Sequence, residues 1–182
     1  MKRLLLLLFP LLLAGCRGPD VHLAPGVPFR LRPPAQGPVL FVNQEVTFQL
    51  PDGKVETALA TVENRDGHLI VVAGSPMGQT LLVVKLEGRE ATADIRIPIP
   101  GDLDPRTLAA LVQLCLWPAD AVREGLANPD TSLVEEGGTR TLLRKGKPVW
   151  VITREGRAPP FRRIVLENPS MRLKVVIRTL EE

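Results

Sequence analysis

Side chains that could act as nucleophile, base or metal ligand are few in this sequence of 182 residues, which contains 2 histidines, 2 cysteines and no tyrosine. Ser75 lies in Gly74-Ser75-Pro76-Met77-Gly78. Because a proline and then a predicted strand follow it, the segment indicates a hairpin turn, not a nucleophile elbow or a phosphate-binding loop. His22 lies in a proline-rich segment and His68 at the start of a predicted strand, without clustered ligands. The sequence therefore predicts no enzymatic activity, no metal and no cofactor.

Cys16 differs from these residues because of what precedes it. Met1-Lys2-Arg3 is followed by an apolar run from Leu4 to Ala14 that only Pro10 interrupts. A helix of that length spans about 16 Å at roughly 1.5 Å per residue, too short for a hydrocarbon core of about 30 Å. A charged start, a short apolar run and small residues before a cleavage point are typical of an export signal.

The four residues Leu13-Ala14-Gly15-Cys16 resemble the lipobox of bacterial lipoproteins, in which the cysteine thiol receives a diacylglycerol and becomes the mature N-terminus. The resemblance implies that residues 1–15 are a signal peptide and that lipid on Cys16 anchors the chain to a membrane. Arg17 stands where many lipoproteins retained in the inner membrane of enteric bacteria carry aspartate, so we expect the outer membrane, with the chain on its periplasmic side. The alternative is an ordinary secretory signal with a chance cysteine at the cut.

The charge of the mature chain argues against a nucleic-acid partner. Two of the 23 Lys and Arg residues, and none of the 20 Asp and Glu residues, lie in residues 1–15, which leaves 21 basic against 20 acidic side chains. No basic block longer than two residues follows. Once Cys16 is lipidated, Cys115 has no cysteine with which to form an intramolecular disulfide, and we expect it to be a small core residue.

Residues 16–38 are predicted to be a tether, since their prolines disfavour both helix and central strand. For the part from Phe29 to Pro38, the alternative is that it packs against the domain. From residue 39 to 97, β-branched residues alternate with polar ones and turn pairs such as Asp52-Gly53 recur, which predicts an antiparallel meander. Leu81-Leu82-Val83-Val84 is apolar at every position, so we expect that strand to be covered on both faces.

The pattern changes at Asp104-Pro105, a pair typical of a helix start. One helix to Leu116, apolar nearly all round, and a second to Leu126 make a helical insert around 105–126 that must be buried. Strands resume at Thr139 and continue towards the end of the chain. The predicted fold class is mainly β: a curled antiparallel sheet with the insert packed on its concave side, in one domain over residues 39–182.

Three segments resemble a family of uncharacterised bacterial outer-membrane lipoproteins, often encoded among aryl-polyene or fatty-acid-like biosynthesis genes. They are Gln44-Glu45-Val46-Thr47-Phe48, residues 75–82 and residues 111–118. The resemblance runs in order through about residues 33–180. That family is similar in fold to the lipoprotein carriers LolA and LolB, half-open barrels whose apolar concave side shelters acyl chains. It has no established activity to carry over.

The apolar side chains of this fold allow two interpretations, because a filled core and a lipid cavity need the same residue types. In the first, the protein binds or transfers an acyl-chain or polyene-type ligand at the outer membrane without chemistry. The residues then predicted to line its cavity are Phe48, Leu82, Val84, Leu111, Leu114 and Trp117. In the second, the core is filled and the protein is a structural lipoprotein that docks a partner in the envelope, which the sequence does not identify.

Overall fold

The computed structural model describes residues 20–97 and 104–180. This part of the chain contains twelve strands, two α-helices and one 3-10 turn, Pro34–Gln36. In chain order the elements are β1 (Val21–Ala24), β2 (Val27–Phe29), β3 (Leu40–Gln49), β4 (Val55–Arg65), β5 (His68–Gly74), β6 (Thr80–Glu87), β7 (Glu90–Ile95), α1 (Thr107–Leu116), α2 (Ala119–Gly125), β8 (Thr131–Glu136), β9 (Thr139–Arg144), β10 (Lys147–Glu155), β11 (Arg163–Asn168) and β12 (Leu173–Thr179).

Ten strands form one antiparallel sheet in the order β7-β6-β5-β4-β3-β12-β11-β10-β9-β8. Each half of the chain is thus a meander, one before the helices and one after them. The two halves meet where β3 pairs with β12, with Val46 opposite Ile177 and Phe48 opposite Val175. The predicted fold class is confirmed: the protein is mainly β, with a curled antiparallel sheet and two helices.

Tight turns join neighbouring strands where the sequence predicts them. Asp66 and Gly67 have φ angles of 52° and 78° between β4 and β5. Positive φ at both central residues is the geometry of the type I′ turn, whose twist matches that of the strands it connects. Short connections of this kind explain why nearest neighbours in sequence are also neighbours in the sheet.

The helical insert begins slightly later than predicted, at Thr107 for α1. The carboxylate of Asp104 accepts a hydrogen bond of 2.9 Å from the Arg106 backbone N–H, which satisfies one of the free donors at this helix end. Pro118 separates α1 from α2. Helix α1 lies against β1, β5 and β6, and α2 lies beside β8. No helix in the described part of the chain is long and apolar enough to cross a membrane.

Residues 20–38 belong to the folded body, so the prediction of a tether is wrong for residues 20–28, and for residues 29–38 the alternative of packing against the domain holds. Strands β1 and β2 form a hairpin, and Val27 and Phe29 are fully buried. Phe29 packs so closely on α2 that a Cβ at Gly125 would lie 2.4 Å from its ring. Pro25 lies in the turn of the hairpin, Pro28 in the short strand β2 and Pro34 in the 3-10 turn, where few ladder hydrogen bonds are needed. Cys16 and the rest of residues 16–19 lie outside the described residues.

Two further details differ from the prediction. Strand β8 lies before Thr139, where strands were expected to resume, and it was not predicted because an edge strand with one buried side chain, Leu133, has little apolar pattern. In β6, Leu82 and Val84 are buried whereas Leu81 and Val83 are only partly so. The expected cover on both faces of β6 is therefore wrong, since this strand alternates like its neighbours.

Candidate functional site: an apolar cavity between α1 and the sheet

A cavity of about 660 Å³ lies between α1 and one face of the sheet. Its floor comes from the two central strands, because alternate residues of a strand point to the same side. Strand β3 contributes Gln44, Val46 and Phe48, and β12 contributes Leu173, Val175 and Ile177. Since Val46 faces Ile177 and Phe48 faces Val175, the floor is continuous across the junction of the two meanders.

Helix α1 forms the roof with one of its faces. Leu108, Leu111, Val112 and Cys115 border the cavity and share a stripe at the three- and four-residue spacing of a helix. Further walls come from β4, β5, β10 and β11, namely Ala60, Val62, Val71, Trp150, Ile164 and Leu166. The lining is therefore almost wholly hydrocarbon, and this space lies beside the packed core of the protein.

The β1–β2 hairpin closes one side of the cavity and is tied down by hydrogen bonds. The indole Nε1 of Trp150 donates to the Leu23 carbonyl oxygen at 2.8 Å. The Thr107 hydroxyl donates to the His22 carbonyl oxygen at 3.3 Å. On the other side of the hairpin, the Arg144 guanidinium donates to the Pro25 carbonyl oxygen at 2.9 Å. Because both a lining residue and the helix hold the hairpin, it acts as a fixed wall.

A buried arginine secures the C-terminal end of α1. Arg140 is 1% exposed and donates to the carbonyl oxygens of Leu114 and Trp117, at 2.6 and 2.9 Å. These carbonyls belong to the helix end, where no intrahelical donor reaches them and a cation is favoured. Burial lowers the pKa of Arg140, which still keeps its proton because a guanidinium does not titrate in proteins.

Glu135 balances the charge of this cluster. One of its carboxylate oxygens accepts hydrogen bonds from Arg140 at 2.7 Å and from Arg154 at 2.6 Å. Partial burial acts to raise the pKa of Glu135, but the two guanidinium groups outweigh it and the pKa is lowered. The helix end is therefore held by an ion cluster that lies beside the cavity and not in it.

Gln113 fixes the middle of α1 through two hydrogen bonds of its side-chain amide. It is fully buried, its amide oxygen accepts from the Arg32 backbone N–H at 2.9 Å, and its amide nitrogen donates to the Arg32 carbonyl oxygen at 2.7 Å. The pair copies the two hydrogen bonds that a neighbouring strand would make. Polar anchors on one side of α1 thus leave its opposite, apolar side free to face the cavity.

The cavity reaches the surface at Met171, which lines it and is 47% exposed, and also at the exposed residues His22 and Pro25 of the β1–β2 hairpin. Phe48 and Leu173 in the lining are partly exposed, whereas Ile164 is 1% exposed. The ionisable lining residues are His22, Asp104 and Cys115. The Arg106 guanidinium, hydrogen-bonded to both oxygens of Asp104, lowers the pKa of that carboxyl group.

Cys115 is buried, as expected, although it borders the cavity. Burial raises the pKa of its thiol to about 12. Since the thiolate is the nucleophilic form, this thiol is inert at neutral pH. No group of three or more His, Cys, Asp and Glu side chains in the described ranges is placed to hold a metal ion.

Comparison with known proteins places the chain in a family. A model described as "Protein of unknown function (DUF3261)" matches residues 42–181. The chain belongs to this family. Among solved structures it is similar to the LolA superfamily protein NE2245 from Nitrosomonas europaea, with 12% identity and a TM-score of 0.40, over 83% of this chain and 87% of that one. No curated protein matches the sequence.

Two of the residues predicted to contact a ligand in this DUF3261 protein, Phe48 and Leu111, border the cavity. The other four are core residues that do not: Leu82, Val84, Leu114 and Trp117 are at most 8% exposed. Leu82 and Val84 lie on β6, a strand that α1 contacts. Leu114 lies outside the stripe of α1 that borders the cavity. Because α1 is apolar on nearly every side, its sequence does not show which side borders the cavity.

The lining residues that the prediction omitted include Gln44 and Val46 on β3 and three residues on β12. Those on β12, Leu173, Val175 and Ile177, occupy every second position, which indicates that they share one face of the strand but not whether that face borders a cavity. Ser75 lies in a turn, as predicted, where its hydroxyl accepts from the Gln79 N–H at 3.2 Å. His68 is exposed, with its Nδ1 3.3 Å from a Glu87 carboxylate oxygen.

Proposed function

We propose that this DUF3261 protein binds a long apolar molecule, of acyl-chain or polyene type, shelters it from water and performs no chemistry on it. The cavity of about 660 Å³ carries the proposal. Its volume falls in the range of roughly 300–1,000 Å³ typical of small-molecule sites. Packed protein cores leave few voids larger than a water molecule, so a space of this size argues against the alternative of a filled core.

The gain on binding comes from area removed from water. Burial of apolar surface contributes about 25 cal/mol per Å², and the lining offers side chains from seven strands and a helix. The partly exposed end near Met171 gives a ligand a way in and out, as reversible binding or transfer requires. The charged clusters around Arg140 and Asp104 hold the walls and leave the interior without a cation.

A cavity-filling variant tests this function. We expect Val46→Phe with Leu111→Trp to weaken binding of a fluorescent long-chain acyl probe at least tenfold, because the larger side chains occupy the space between floor and roof. The measurement is a fluorescence titration of the chain from residue 17 onward, which contains every described element. Overpacking typically lowers the free energy of unfolding by about 1–3 kcal/mol, so urea titration must accompany it.

Val134→Trp is the matched control, since Val134 is 45% exposed on β8 and outside the cavity. It adds an indole without filling the void and should bind the probe as the unaltered chain does. Equal binding by the cavity-filling variant, or no binding by the unaltered chain, would count against the proposal.

We also propose that lipid on Cys16 holds the protein at the periplasmic side of the outer membrane, which the lipobox-like residues and Arg17 support. Cys16→Ser removes the only thiol that the lipid can use at this position. We expect an uncut, unacylated precursor, detected by mass spectrometry of the N-terminus, and loss of the protein from outer-membrane fractions. A mature N-terminus at another residue, or an inner-membrane location of the unaltered chain, would contradict the proposal.

A further inference from the structure

Gln44 is an exception among the residues that line the cavity. It is 5% exposed, and its side-chain amide has no hydrogen-bond partner among the described residues. Gln113 pairs with the Arg32 backbone through both atoms of its amide, and the buried amides that lack a partner at one atom, Asn64 at Oδ1 and Asn168 at Nδ2, lie outside the cavity. Gln44 is therefore set apart by its place in an apolar cavity, which calls for an explanation because leucine at such a position would be more stable.

The amide lies in the inner part of the cavity. Gln44 is four residues before Phe48 on β3, which places it about 13 Å along the strand at roughly 3.3 Å per residue. Phe48 is partly exposed, whereas Gln44 is buried and pairs with Ala60 and Thr179 across the sheet. Ala60 has no polar side chain, and the Thr179 hydroxyl donates to the Phe161 carbonyl oxygen at 2.7 Å. Neither neighbour therefore satisfies the Gln44 amide.

The charges around the cavity decide which partner would suit this amide. No lysine or arginine lines the cavity, and Asp104, which does, is acidic and already bound to Arg106. His22 also borders the cavity, but it is an exposed residue of the β1–β2 hairpin and not one of the buried lining residues. A buried carboxylate would have no cation to offset its desolvation. A primary amide offers two N–H donors and an oxygen acceptor, which suits a hydroxyl, ester, ketone or amide group.

We infer that the ligand carries an uncharged hydrogen-bonding group, a hydroxyl or a carbonyl, on the end of its chain that enters the cavity first, and that Gln44 selects for this group. The inference rests on the proposed function and narrows its ligand class. Gln44 is then a specificity-determining residue: it contributes little to the affinity for a plain hydrocarbon tail and much to the choice between tails.

Two fluorescent probes of equal length test the inference, with the same fluorophore at one end and either a hydroxyl or a methyl group at the other. In the unaltered chain from residue 17 onward, we expect the hydroxyl-ended probe to bind at least as tightly as the methyl-ended one. Gln44→Leu should weaken the first and strengthen the second, so that the ratio of their dissociation constants changes at least tenfold. The same variant should unfold at a higher urea concentration, which also shows that it is folded.

Gln49→Leu is the matched control, because Gln49 is exposed at the end of β3 and outside the cavity. It should leave the ratio unchanged. If both probes bind and Gln44→Leu does not alter their ratio, the inference is overturned while the proposed function stands. If neither probe binds the unaltered chain, both are overturned.

Discussion

Replacement of Arg140 by methionine is expected to lower the free energy of unfolding by about 3–5 kcal/mol, among the largest effects of any single substitution in this chain. Methionine fills similar space but donates no hydrogen bond. The carbonyl oxygens of Leu114 and Trp117, which Arg140 reaches at 2.6 and 2.9 Å, would then lie buried without a donor at the end of α1. Glu135 would keep Arg154 as its only guanidinium partner.

Urea-induced unfolding, followed by the fluorescence of Trp117 and Trp150, measures this loss. Arg178→Met is the control, because Arg178 makes an exposed ion pair with Glu45 at 3.3 Å, and such pairs contribute only about 0–1 kcal/mol. Both variants replace an arginine by a methionine, so the difference between their free energies of unfolding measures the effect of burying the guanidinium group. Similar stabilities for both would show that the ion cluster does not hold the helix end.

The second large effect is a contrast between two leucines of α1 that lie three residues apart. Leu114→Ala should lower the free energy of unfolding by about 2–5 kcal/mol, since Leu114 is fully buried and packed outside the cavity. Leu111→Ala should have less than half of that effect, because the Leu111 side chain already borders empty space and remains partly exposed. The identical change in helix propensity cancels in the comparison.

Ligand binding should show the opposite order. Leu111→Ala removes apolar contact area from the roof and is expected to weaken binding of a long-chain acyl probe, whereas Leu114→Ala should leave it nearly unchanged at denaturant concentrations where the protein stays folded. Both quantities come from paired urea and fluorescence titrations. Equal losses of stability at the two positions would mean that the space beneath α1 is filled in solution.

The arrangement of polar and apolar groups on α1 explains how a helix can span a void. Few atoms pack against its cavity face, so packing on that side contributes little to its position. Arg140 at the helix end, Gln113 in its middle and the Asp104–Arg106 pair before its start hold it from the other sides. The walls can therefore keep their place whether or not a ligand is present.

Much of the fold could be predicted from local sequence. Alternating apolar residues, turn pairs such as Asp66-Gly67 and the Asp104-Pro105 helix start are signals that a few neighbouring residues carry by themselves. The two meanders and the helical insert follow from them. The β1–β2 hairpin could not be found in this way, because its burial depends on contacts with α2 and β10, more than ninety residues away.

The candidate site shows the same division. Residue types alone indicate that α1 and the inner faces of β3 and β12 are apolar and have to be kept from water, and Phe48 and Leu111 were predicted on that ground. Which of these faces pack against one another and which enclose space depends on how the elements are arranged in the folded chain. Leu114 and Trp117 are as apolar as Leu111, but other elements cover them, while the curl of the sheet holds its floor away from the roof. Hydrophobicity acts without direction, so residue type cannot distinguish a packed neighbour from a cavity wall.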